Sequence, residues 1–242
     1  ASTNFREALY GKTHPYGRAM SESVINGVDR DSLLGFFNQT FSNDNCDIVL
    51  SGNGSLDFED IINNYFGKSP WGKSQNTYAK HTFEYVPLKQ TIEKEGSLQS
   101  SIRMGFPLFN ITHPDYLETS VLIEIFGGYF GSRLMKNIRE DKGYTYGISS
   151  NLVSMLHSGY VVIGTDVGAE HTEDTFKEIY KEIDLLRNHL VGEEELTLVK
   201  NYLTGSFLNS LNTPFALADR FKSIYYSTNL PSWLLEKGSR VL

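Results

Sequence analysis

The period of the hydrophobic positions changes several times along the chain, and these changes outline its elements. Residues 1–26 are polar and turn-rich around His14-Pro15-Tyr16-Gly17. From residue 29 the period is helical: Leu33, Leu34, Phe36, Phe37 and Phe41 fall on one face, with Asp29 suited to the N-cap and Asp31 in the first turn. This predicts a helix over 29–41, ended by Asn43-Asp44-Asn45. Asp47 to Ser51 reads as a short buried strand, with Cys46 beside it as a buried small hydrophobe. Residues 56–66 read as a helix with Phe58, Ile61, Ile62, Tyr65 and Phe66 on one side. Residues 67–80 hold Gly, Pro and Ser with no apolar period, which predicts a linker.

Beyond it, 82–86, 90–94 and 98–106 read as strands. A helix carrying Tyr116, Leu117, Leu122, Ile123 and Phe126 follows, with Thr112 and Asp115 spaced as a capping box. A glycine-rich break leads to a short helix over 132–140, stopped by Gly143. Segments 144–154 and 159–167 are rich in Val, Ile, Tyr and Ser and flank His157-Ser158-Gly159, the pattern of a hairpin. Helices are predicted over 172–190, 193–211 and 214–227, the last opened by Thr213-Pro214. Strands grouped before helices predict an α+β fold, a two-layer sandwich of a mostly antiparallel sheet with helices on one face.

Composition narrows the function classes. Charge is −7 overall, without a Lys/Arg block, so no nucleic-acid partner is expected. The single cysteine excludes a disulfide framework and a multi-cysteine zinc site within this chain. No apolar run approaches the length of a membrane span, and Ala1 to Arg6 lacks the apolar core of a signal peptide. Sequons occur at Asn38, Asn53 and Asn110, but the expected setting is a bacterial periplasm or cytoplasm rather than eukaryotic secretion.

One motif matches literally. Gly67-Lys68-Ser69-Pro70-Trp71-Gly72-Lys73-Ser74 fits the phosphate-binding loop pattern. That loop needs a strand before it and a helix after it, so that backbone N–H groups converge on phosphate. Here a predicted helix precedes it and no amphipathic period follows. The six histidines show no metal-ligand spacing, and His14 before Pro15 reads as part of a structural turn. No metal site, Ser-His-Asp set or Cys-His pair is expected in this chain.

The informative stretch runs Gly127-Gly128-Tyr129-Phe130-Gly131-Ser132-Arg133-Leu134-Met135-Lys136-Asn137-Ile138-Arg139-Glu140-Asp141-Lys142-Gly143-Tyr144-Thr145-Tyr146. It resembles the glycine-rich helix-to-strand segment in the second repeat domain of insulinase and pitrilysin-type zinc peptidases. Glu124 to Phe126 and Val191-Gly192-Glu193-Glu194-Glu195-Leu196 resemble the flanking family segments in register. So do Ala8-Leu9-Tyr10-Gly11, His14-Pro15-Tyr16-Gly17, Asn43-Asp44-Asn45 to Gly54 and Tyr65-Phe66-Gly67 upstream, so nearly the whole chain is covered. The resemblance implies that residues 1–66 are the C-terminal part of a first repeat domain, 67–80 a linker and 81–242 a second repeat domain. It implies that Arg139 and Tyr146 contact a bound peptide and that Gly127, Gly128 and Gly131 form a substrate-binding loop. It also implies that the zinc is held by an H-x-x-E-H helix upstream of Ala1 or on a partner.

The chemistry of the pair agrees: a Tyr hydroxyl can donate to a developing oxyanion, and an Arg fork can hold peptide carbonyls. On residue chemistry alone, Arg139 also reads as a surface ion pair, Tyr146 as a strand core residue and the glycines as joints between helices. The expected function is therefore the substrate-gripping, metal-free portion of a zinc endopeptidase, inactive by itself. Its expected partners are a peptide or protein substrate and a metal-bearing half-molecule or partner subunit, with self-association of the chain as a further expectation. The alternatives are a non-catalytic scaffold subunit of the same family and a nucleotide-binding module resting on Gly67 to Ser74.

Overall fold

The computed structural model describes residues 1–53, 57–68, 71–72 and 81–228. Ten-residue strands β1 (Gln99–Leu108), β2 (Thr145–Ser154) and β3 (Gly159–Gly168) form an antiparallel sheet in the order β1-β3-β2. β2 and β3 are the expected hairpin, closed by Met155 N–H donating to the Ser158 carbonyl at 2.8 Å. The turn is also held from outside, because the Asn110 amide donates to the Met155 and Leu156 carbonyls at 3.2 and 2.9 Å.

Strand alternation assigns the two faces. Val161, Ile163 and Val167 of β3, Ile102 of β1 and Ile148 of β2 are buried on one face. Helical segments cover that side. α5 (Tyr116–Ile123) continues as a π-helical turn to Gly128, a second π-helical segment spans Met135–Asp141, and α6 (Thr172–Asn188) lies beside them. Phe126, Leu134, Met135, Ile138 and Ile179 meet Ile148 and Ile163 there in the core. α7 (Glu193–Asn209) follows, with Val199 fully buried, and α8 (Pro214–Thr228) opens with Thr213 Oγ accepting from Ala216 N–H at 3.1 Å. The expected α+β architecture is present.

The opposite sheet face meets α1 (Ser2–Tyr10). Phe5 sets its ring edge against Tyr160, and Tyr10 Oη donates to the Gly159 carbonyl at 3.1 Å. His14 stacks on Tyr10, accepts Tyr16 N–H at Nδ1 and closes the turn through its carbonyl, which accepts from Gly17 and Arg18 N–H. Its burial, and next to that the nearby His81, push its pKa below the usual imidazole value. His14 is thus the structural turn residue that its sequence context predicts.

α2 (Glu22–Asn26) and α3 (Arg30–Thr40) follow. The Asp29 cap of α3 forms as expected: its carboxylate accepts Ser32 N–H at 2.8 Å, and Ser32 Oγ accepts Asp29 N–H at 3.1 Å. α4 (Asp57–Ile62) runs into a π-helical turn, Asn63–Gly67.

Four expectations are corrected. Residues 47–51 form no strand, because no strand among the described residues runs beside them to complete a ladder. Cys46 is consequently exposed rather than buried. Segments 82–86 and 90–94 also carry no ladder: they are largely exposed, and Pro87 interrupts the run with a residue that has no N–H to donate. Thr112 and Asp115 make no capping box, since Thr112 Oγ donates to Asn110 Oδ1 at 2.7 Å and Asp115 gives no side-chain cap. Of the linker, Ser69, Pro70 and 73–80 lie outside the described residues, as do four positions of the phosphate-loop match; a helix, not a strand, precedes that match. Among the described residues no helix is long and apolar enough to cross a membrane.

Candidate functional site

The glycine-rich segment is shaped by what lies against it. Gly127 leaves the helical conformation after the buried Phe126, and a Cβ there would come within 2.7 Å of Ser150 N and 2.8 Å of its Oγ. Gly127 therefore lets the segment close onto β2, where Ser150 Oγ donates to the Ile123 carbonyl at 2.9 Å. A Cβ on Gly128 would strike the Glu124 carboxylate, and one on Gly131 would meet the Tyr129 ring at 2.8 Å. Burial raises the pKa of Glu124. What the three glycines admit in this chain is its own strand and side chains.

Downstream, Arg133 makes a bidentate ion pair with Glu195 of α7, at 2.9 and 2.7 Å. That contact, first of all its hydrogen bond, lowers the Glu195 pKa and raises that of Arg133. Leu134 and Ile138 are fully buried beneath the helical turn, which fixes its rotation. The buried Asn137 donates to Glu178 and Glu182 of α6 at 2.9 and 2.7 Å, tying the turn to that helix. Arg139 is thereby directed away from the core.

Gly143, at φ 68°, ends the turn in the left-handed region that glycine enters without steric cost. Tyr144 stacks on His171 at 4.3 Å. The β2–β3 register then slips: Thr145 pairs with Val167 and Ile148 with Thr165, leaving Tyr146 and Gly147 opposite Asp166 alone. This is a β-bulge, a device that re-aims side chains. Hydroxyls hold it in place: Thr145 Oγ donates to the Asp166 carbonyl at 2.8 Å, and Thr165 Oγ donates to the Gly147 carbonyl at 3.0 Å.

The consequence falls on Tyr146, which is 96% exposed. It is not a strand core residue, so that reading is corrected. Arg139 and Tyr146 are brought together: Arg139 Nε donates to the Tyr146 carbonyl at 3.0 Å. The guanidinium also lies 4.5 Å from the Phe130 ring centre, and its Nη1 is 4.0 Å from Glu140, so a surface ion pair exists alongside the Tyr146 contact. Sequence reading missed Phe130, Thr145 and Gly147. A glycine inside a strand pattern is the usual signal of a bulge, and Gly147 carries it.

Among the described residues no three His, Cys, Asp or Glu side chains converge as metal ligands. His14 and His81 approach with ring centres 5.7 Å apart, but His14 Nδ1 is occupied by Tyr16 N–H. A catalytic zinc needs three protein ligands, and this donor set does not fit it.

An antiparallel hairpin is backed by helices, and the glycine-rich helix-to-strand segment that enters it brings Arg139 and Tyr146 together. The chain matches the peptidase M16 inactive domain over residues 27–203, and it belongs to that family, which includes the insulinase and pitrilysin-type peptidases. It is 26% identical over 209 residues to the uncharacterized zinc protease YmxG of Bacillus subtilis, covering 86% of this chain and 50% of that protein. It is 21% identical over 214 residues to the probable inactive metalloprotease YmfF of the same organism, covering 86% and 49%. Among solved structures, a peptidase M16 inactive domain from Pseudomonas fluorescens superposes with a TM-score of 0.75 at 27% identity, over 97% of this chain and 57% of the other. The chain thus spans about half the length of the curated relatives it matches.

Proposed function

We propose that this chain is the peptide-gripping portion of an M16-type zinc endopeptidase, with the zinc supplied by a metal-bearing half-molecule or partner subunit. In this reading residues 1–66 are the tail of one repeat domain, 67–80 a linker and 81–242 a second repeat domain. The zinc protease name of the relative YmxG supports the zinc assignment. The bacterial source of the relatives supports a bacterial periplasm or cytoplasm as its setting.

The observation that carries the proposal is the bulge at Tyr146 and Gly147. A strand residue with no function beyond packing has no need to be turned fully into solvent, nor to have its carbonyl held by an arginine seven residues upstream. Peptide hydrolysis places negative charge on the scissile carbonyl oxygen, and zinc, when bound, supplies a polarising charge and an activated water. Tyr146 Oη donates a hydrogen bond to that oxygen as its charge grows. Arg139 steadies Tyr146 through Nε and offers its terminal N–H groups to the peptide's carbonyls.

The test uses the complete enzyme, this chain restored to its metal-bearing half. Tyr146→Phe removes only an exposed hydroxyl, so the melting temperature stays constant while kcat falls about 10²–10³-fold with little change in KM. Arg139→Ala raises KM and also lowers kcat, because it frees the Tyr146 backbone. A Tyr146→Phe enzyme turning over at the wild-type rate would leave only the fold assignment standing.

A further inference from the structure

On the sheet face turned away from the helical core, α1 and the strands border an open groove of about 400 Å³. Its floor follows from the strand register. Arg103, Gly164 and Ser149 stand side by side across β1, β3 and β2, and Gly147 lies one bulge further along. Glycine inside a strand loses conformational freedom and side-chain packing, and it commonly marks a place where something approaches the backbone closely. Gly164 is accounted for within the chain, since a Cβ there would touch the Arg103 side chain at 3.4 Å. Gly147 faces open space, with nothing within 4 Å of its Cβ position.

The walls are charged against the sign of the molecule. The chain carries −7 overall, yet Arg6 from α1 and Arg103 from β1 both line this groove, with Asp166 the only acid among the described residues that line it. Arg103 is held across the floor: Nη1 donates to the Ile102 and Thr165 carbonyls at 2.6 and 3.2 Å, and Nε donates to Ser2 Oγ at 3.4 Å. Its distance to Asp166 is 3.8 Å, and more than half of the Asp166 side chain is exposed to water. The Arg6 side chain makes no hydrogen bond or ion pair among the described residues. One cation is thus fixed in place and a second is free to follow a ligand. Asn151 and Ser149 add polar groups on the same face.

We infer that this groove is a carboxylate subsite, holding an acidic side chain or the C-terminal carboxylate of an extended peptide between Arg6 and Arg103. The inference rests on the peptide-gripping reading in that its ligand is a peptide. Gly147 belongs both to the bulge that presents Tyr146 and to the groove floor, so a peptide held at Tyr146 continues onto this face. Guanidinium groups suit the ligand because their fork matches the two carboxylate oxygens.

The test measures binding of three dye-labelled eight-residue peptides to the full 242-residue chain by fluorescence anisotropy. One has a central Glu and an amidated end, the second has Gln in its place, and the third is the Gln peptide with a free C-terminal carboxylate. The Glu peptide binds about tenfold more tightly than its Gln counterpart at low salt, and the difference shrinks at high salt. The third peptide identifies the source: affinity equal to the Glu peptide assigns the chain terminus as well as the side chain. Arg6→Gln, which disturbs no structural contact, keeps the melting temperature and removes the preference. Tyr146→Phe leaves the preference intact, so a failure of the catalytic assignment is separable from a failure here. Equal affinities for all three peptides, no binding of any of them, or a preference that survives Arg6→Gln overturns the inference.

Discussion

At the scale of single residues, the three glycines of the glycine-rich segment are not equivalent. A side chain at Gly127 would meet the backbone nitrogen of Ser150 in β2, which cannot move without displacing a strand. A side chain at Gly131 would meet the ring of Tyr129, the far end of a side chain that can turn. Gly127→Ala is therefore expected to cost about 1–3 kcal/mol of stability, the usual range for overpacking a well-filled site. Gly131→Ala costs less than that. Thermal unfolding of the two variants checks the order, and equal melting temperatures would remove the close contact at Gly127 from the account. Gly127, Gly128 and Tyr146 were all visible in the sequence as members of one motif. Its text did not reveal that Gly127 serves the approach of β2, because that neighbour lies 23 positions along the chain and is set by the sheet.

At the scale of elements, the glycine-rich segment is tied to α7 by Arg133 and Glu195 and to α6 by Asn137. The ion pair gives a signed pH dependence. Its hydrogen bond holds the folded-state pKa of Glu195 below the unfolded value, which is about 4.3. The folded state therefore binds fewer protons in that range, and stability from this pair is complete above the unfolded value. It fades as pH falls through the lower folded value. Glu195→Gln is expected to lower the melting temperature at pH 7 and to match the wild type once both are well below pH 4. Calorimetry across that range decides it, since a deficit that persists unchanged into acid would assign the loss to packing instead. The caps that open α3 and α8 follow neighbouring residues, so Asp29 and Thr213 could be read from sequence alone. The pairing of Arg133 with Glu195 spans 62 positions and could not.

At the scale of the whole molecule, the segment from α3 through α4 keeps its apolar side chains in water. On α3, Leu33 and Phe36 are 58% and 59% exposed, and Ile48, Leu50, Phe58 and Ile61 are exposed as well. Exposed apolar side chains in such number favour association. Self-association is expected in sedimentation at rising concentration, and a Phe36→Glu/Phe58→Glu variant is expected to shift it toward monomer without unfolding the sheet. A wild-type chain that stays monomeric at high concentration would show that these faces are not association surfaces. The same exposure explains the strand expected over 47–51. Its residues have the right chemistry, but a strand exists only as part of a ladder, and no partner among the described residues supplies one.

The sequence by itself determined the helices from α3 onward, though not α1 and α2 within the turn-rich first 26 residues, and it determined the β2–β3 hairpin, the α+β class and the resemblance of the segment from Gly127 to Tyr146 to the family that the chain belongs to. These are written in periodicity and in turn and cap residues, which act over a few positions. The exposure of Tyr146 was decided only in three dimensions, by a bulge that depends on hydroxyls from two strands. So was the placing of α1, which brings Arg6 beside Arg103, 97 positions away, on a face that the strand pattern alone marks only as outward. Alternation fixes the side of the sheet to which a residue points, but what meets it there is decided by the packing of distant elements.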